Sequence, residues 1–96
     1  MNQDEARGVL LEILGGYRER TYKEMAGLVG SSEQVERAGP SGTMYLVEID
    51  VFWDNPRKVG DVVRVMGSAD DGGLLAALSP VTESVLVGPD GVWSGE

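Results

Sequence analysis

Eleven consecutive residues, Thr43–Trp53 (TMYLVEIDVFW), alternate between two kinds of position. Tyr45, Val47, Ile49, Val51 and Trp53 form one wholly apolar row. Met44, Leu46, Glu48, Asp50 and Phe52 form the other, with two carboxylates at its centre. Period-2 alternation over this length predicts a long strand with its odd row in a core and its even row partly in water.

The chain before it reads differently. In Asn2–Leu14, the residues Ala6, Val9, Leu10, Ile13 and Leu14 recur at i, i+3, i+4 spacing, which predicts an amphipathic helix. Asn2 or Asp4 can cap it, and Asp4 and Glu5 suit a first turn where the helix dipole favours negative charge. Gly15-Gly16 is the expected stop. Thr21-Tyr22-Lys23-Glu24 matches a capping box and predicts a second, short helix over Tyr22–Leu28, with Gly30 ending it.

From Ser31 onward, short strand patterns alternate with turn residues. Ser32–Ala38 is a polar first strand, and Gly39-Pro40-Ser41-Gly42 turns into Thr43–Trp53. Further strands are predicted at Asp61–Ser68, Leu74–Leu78, Glu83–Val87 and Val92–Ser94. Turns fall at residues 54–60, at Ala69–Gly73 and at Gly88-Pro89-Asp90-Gly91. The reading is one α+β domain over residues 1–96. A helical hairpin (1–30) packs on one face of an antiparallel meander of about five strands (31–96). A symmetric Trp53/Asp61 hairpin would place Asp50 opposite Arg64, on the face of Glu48 and Met66.

Composition narrows the chemistry. Histidine and cysteine are both absent. Their absence removes the usual base near neutral pH, the thiol nucleophile, disulfides and zinc–thiolate sites. The net charge of −8 is concentrated late: residues 1–42 carry five bases and seven acids, residues 43–96 three and nine. A surface of that sign repels phosphate backbones, so no nucleic acid is expected as a partner. Acidity also serves plain solubility. No apolar run approaches the ~18 residues of a membrane helix, and the start MNQDEAR lacks the basic opening of a signal peptide. Cytoplasmic location without membrane association is the expectation.

The candidate chemical groups each have a plainer explanation. Glu48, Asp50, Asp54 and Asp61 offer carboxylates for acid–base work or a hard cation, but their spacing demands neither. Asp70-Asp71-Gly72-Gly73 has part of a calcium-loop pattern without its later Glu, and is first of all a tight turn. No phosphate loop is present, and Ser41, Ser68, Ser79 and Ser84 have no base to activate them. No cofactor, metal or catalytic residue is expected. The remaining candidate is an interaction face made by Leu46, Glu48, Asp50, Phe52, Arg64 and Met66.

The runs Met44–Asp54, which ends in Val51-Phe52-Trp53-Asp54, Gly60–Ser68 and Asp70-Asp71-Gly72-Gly73 resemble those of small uncharacterised bacterial proteins. The closing Pro89–Glu96 is similar in type. The resemblance covers about residues 43–96 and implies a bacterial single-domain protein of unknown function, with no catalytic residues to transfer. Members of that group often carry an aromatic soon after the paired glycines, where this chain has Leu74 and Leu75.

The leading expectation is a small acidic, non-enzymatic interaction module for a protein partner with a basic surface, such as an immunity-type inhibitor or adaptor. The alternatives are a small-ligand-binding or carboxylate-based enzyme function on the same sheet face, with Asp61 also lining its pocket, and a self-associating structural protein, including a homodimer.

Overall fold

The computed structural model describes residues 1–73 and 79–95. Among the described residues, two helices lead into five strands: α1 (Gln3–Tyr17), α2 (Tyr22–Gly27), β1 (Ser32–Ala38), β2 (Met44–Trp53), β3 (Val63–Asp70), β4 (Val81–Val87) and β5 (Trp93–Gly95). The strands form one antiparallel sheet in chain order, a meander. The helices pack on one face, giving the expected α+β architecture in two layers. The strand expected at Leu74–Leu78 lies outside the described residues.

α1 forms where its apolar stripe dictates. Asn2 caps it, its side-chain oxygen accepting from Glu5 N at 3.1 Å. Ala6, Val9, Leu10 and Leu14 are buried against the sheet. The helix does not stop at Gly15-Gly16 but continues to Tyr17, three residues beyond Leu14 on the same stripe. Tyr17 is 7% exposed, and burying so large a side chain outweighs the helix-breaking tendency of the outward-facing glycines.

α2 has the expected capping box: Glu24 N donates to Thr21 Oγ1 at 3.2 Å, and Thr21 N donates to Glu24 Oε1 at 3.2 Å. A six-residue helix is not stable alone. Met25 anchors it in the core, and Tyr22 OH donates to the carbonyl of Asp61 at 2.6 Å. At the far edge, Trp93 Nε1 donates to Arg20 O at 3.2 Å, tying β5 to the link between the helices.

The core lies between α1 and the sheet. Tyr45, Val47, Ile49 and Val51 of β2 meet Val63, Val65 and Ala69 of β3 and Val81, Val85 and Val87 of β4. These are the odd positions of β2, as period-2 alternation requires. Gly67 of β3 sits beneath Leu10 of α1 and beside Ile49, leaving no room for a Cβ. Arg7 of α1 reaches Glu83 of β4, with Nε 2.8 Å from Oε1.

Candidate functional site

Among the described residues, the helices cover one face only and no element covers the other. Antiparallel register places facing residues on the same side of the sheet. Leu46 faces Glu36 and Asp70, Glu48 faces Gln34 and Ser68, Asp50 faces Met66, and Phe52 faces Arg64. Glu36, Glu48, Asp50 and Asp70 thus share a surface with Met44, Leu46, Phe52 and Met66. The four apolar groups are 50%, 45%, 36% and 38% exposed. Exposed apolar groups clustered on one face call for an explanation in a way that scattered ones do not.

All six residues of the predicted interaction face lie on this side. Leu46, Glu48, Phe52 and Met66 are exposed, and Asp50 and Arg64 are half-buried. The expected Asp50–Arg64 pair does not form, because β3 is displaced by two residues and begins at Val63. Asp61 and Val62 belong to the loop instead. Asp61 O accepts the Tyr22 hydroxyl, Asp61 N donates to Lys58 O, and Val62 O accepts from Asp54 N. An even displacement changes partners but not faces, so every side chain keeps its side.

Arg64 pairs with Asp54. Its Nε and Nη2 lie 2.8 and 2.7 Å from Asp54 Oδ1, and its Nη1 donates to Ser84 Oγ at 2.8 Å. Arg64 is the only cation on the open face among the described residues, and it is already matched by a carboxylate. The excess charge of that face is therefore negative. Beside Glu36, Glu48 and Asp70, together with Gln34 and Leu46, lies an open depression of about 400 Å³.

The four carboxylates considered for catalysis are not brought together. Glu48 and Asp50 face water, Asp54 binds Arg64, and Asp61 lies in the loop under Tyr22. Among the described residues, no three acidic side chains are grouped to hold a metal ion. In the Asp70–Gly73 turn the carboxylates serve the backbone: Asp70 Oδ1 accepts from Gly72 N at 2.8 Å and Asp71 Oδ1 from Gly73 N at 3.0 Å.

A polar cluster that local pattern did not reveal centres on Glu5. Its Oε1 accepts from Ser41 Oγ at 2.6 Å and Tyr45 OH at 2.7 Å, and its Oε2 accepts from Ser41 N at 2.9 Å. Gly39 lies against it; a Cβ there would be 2.7 Å from Glu5 Cδ. The cluster clamps the β1–β2 turn to the start of α1.

The hydroxyls of Ser41 and then Tyr45 hold the Glu5 carboxyl below its ordinary 4.5. The hydrogen bond to Glu5 is the main reason the Tyr45 hydroxyl is pushed from 10.0 up to about 12. A phenol held neutral in this way donates its hydrogen bond to Glu5 rather than accepting one. The cluster's pH dependence follows with opposite signs at the two ends. The Glu5 contribution is present above pH 4.5 and is lost as pH falls through the lowered value. The Tyr45 contribution is present below pH 10.0 and is lost as pH rises through about 12. In urea titrations across pH, Glu5→Gln is expected to flatten the acid limb. Tyr45→Phe is expected to flatten part of the alkaline limb, because burial also raises Tyr17.

No helix among the described residues is long and apolar enough to cross a membrane. No protein-family model matches the chain, and searches of curated proteins and of solved structures return no match.

Proposed function

We propose that this protein is a docking module whose open sheet face takes a protein partner with a basic, partly apolar surface. The observation that carries the reading is the composition of that face. Four large apolar groups lie exposed among Glu36, Glu48, Asp50 and Asp70, and the nearest cation is matched by Asp54. The apolar groups supply area to bury, while the uncompensated acids supply steering and choice of partner. The absence of histidine and cysteine supports a role as an adaptor or immunity-type inhibitor rather than an enzyme.

Capture on immobilised protein tests this reading. Wild type is expected to retain a basic partner that the Glu48→Lys/Asp50→Lys variant releases. Lysine-to-glutamate changes in the partner's contact patch are expected to restore binding to that variant. Equal retention by wild type and variant would contradict the reading.

A further inference from the structure

β1 is the sheet's long outer edge, and its backbone parity is defined by the bonds around it. Gly39 N donates to Thr43 O at 2.8 Å and Val51 N donates to Ser31 O at 3.2 Å. In the β1–β2 register, residues 31, 33, 35, 37 and 39 therefore make the closely bonded pairs with β2. The N–H and C=O groups of Ser32, Gln34, Glu36 and Ala38 point the other way, towards the edge. Among the described residues no strand pairs with that side.

Natural sheets protect such an edge with proline, a bulge, lysine or a covering element. β1 contains no proline or lysine, runs seven residues in continuous register without a bulge, and is exposed at every residue except half-buried Val35. It does carry charges, Glu33 and Arg37 on the helix side and Glu36 on the open side, which could act as blockers. Within the chain Arg37 lies 4.0 Å from Glu12 and Glu33 bonds to Tyr17, yet both stay exposed and their spacing also suits a second copy.

We propose that a second copy of the chain pairs antiparallel with β1 about a two-fold axis through Val35, joining the two sheets. This register opposes Gln34 to Glu36 and Ser32 to Ala38 of the other copy, so every edge-directed amide meets an edge-directed carbonyl. It also opposes Glu33 to Arg37 twice, once on each side of the axis, and stacks Val35 on its copy. It is the only register that overlaps all seven residues. Moving the axis to Glu36 would set that carboxylate against its own copy, which like-charge repulsion disfavours. Such an interface is isologous and closes at two chains. It leaves the open face uncovered and extends it across the seam, so it stands independently of the docking partner.

Sedimentation over a concentration series, with circular dichroism as the check on folding, decides it. Wild type is expected to rise from 10.3 kDa to twice that mass. Arg37→Glu and Glu33→Arg each place like charges opposite at two sites, and each is expected to weaken dimerisation by about tenfold or more. The double variant Glu33→Arg/Arg37→Glu is expected to restore it. Gln34→Pro removes an edge-directed N–H while leaving the β2 ladder intact, and is expected to remain at one chain's mass.

A wild-type mass of one chain at every concentration would overturn the proposal. So would a dimer that survives both Gln34→Pro and Arg37→Glu. If the variants unfold, hydrogen exchange of wild type serves instead. The Gln34 and Glu36 amides should gain protection with concentration while Glu33 and Val35 do not, and unchanged exchange would reject the pairing.

Discussion

Gly67→Val is expected to destabilise the fold by about 3 kcal/mol, through overpacking. A Cβ at Gly67 would stand 2.4 Å from Leu10 Cδ1 and 2.9 Å from Ile49 Cδ1. Both neighbours are buried, Leu10 at 0% and Ile49 at 1% exposure, so neither can swing into water. Valine's better strand propensity offsets at most about 1 kcal/mol. The strain should appear as a lower denaturant midpoint at unchanged slope. Gly67→Ala combined with Leu10→Ala is expected to cost less than the sum of its parts, because the second change removes the atoms with which the first collides. Additive costs would mean that α1 does not rest on Gly67.

Met25→Ala is expected to cost about 2–5 kcal/mol, the usual range for truncating a fully buried Met, Leu or Ile side chain to Ala. It should also release α2 before the rest of the fold. Met25 is the only fully buried residue of that helix, and six helical residues do not persist without tertiary contacts. Tyr22, whose hydroxyl holds the Asp61 carbonyl, should loosen with it. Hydrogen exchange is expected to rise over residues 22–28 and in the loop before β3, with Val65 and Ile49 still protected. Uniform loss of protection across all elements would contradict this separation.

How much of this was legible in the sequence depended on distance along the chain. The alternation of Thr43–Trp53 specified which side chains enter the core, because a strand's period of two leaves no freedom once one row is buried. The capping box at Thr21 and Glu24 was legible because its partners are three residues apart. The register of β2 on β3 was not. Asp61 and Val62 resemble strand residues, but in the fold they are bonded in the loop to Tyr22, Lys58 and Asp54. Gly15-Gly16 resembled a helix stop until the burial of Tyr17 overrode it. Glu5 was legible as a first-turn acid, but its partners Ser41 and Tyr45 lie 36 and 40 residues away.

The candidate face shows the same division. Its members follow from β2 alternation, whereas Arg64's commitment to Asp54 and Ser84 depends on a register that pattern leaves open by two residues. The even displacement kept the face intact while changing its electrostatics. Asp50 lies opposite Met66 rather than a cation, which leaves the middle of the face more acidic than the sequence implied.

The chain's four methionines report on that face directly. Met44 and Met66 lie on it, Met25 lies in the core, and Met1 lies at the start of the chain. Methyl NMR of methionine-labelled protein, titrated with the captured basic partner, should shift the Met44 and Met66 signals and leave Met25 in place. Binding that leaves Met44 and Met66 unmoved would show that the partner docks elsewhere and would end the account of the open sheet face as the functional surface.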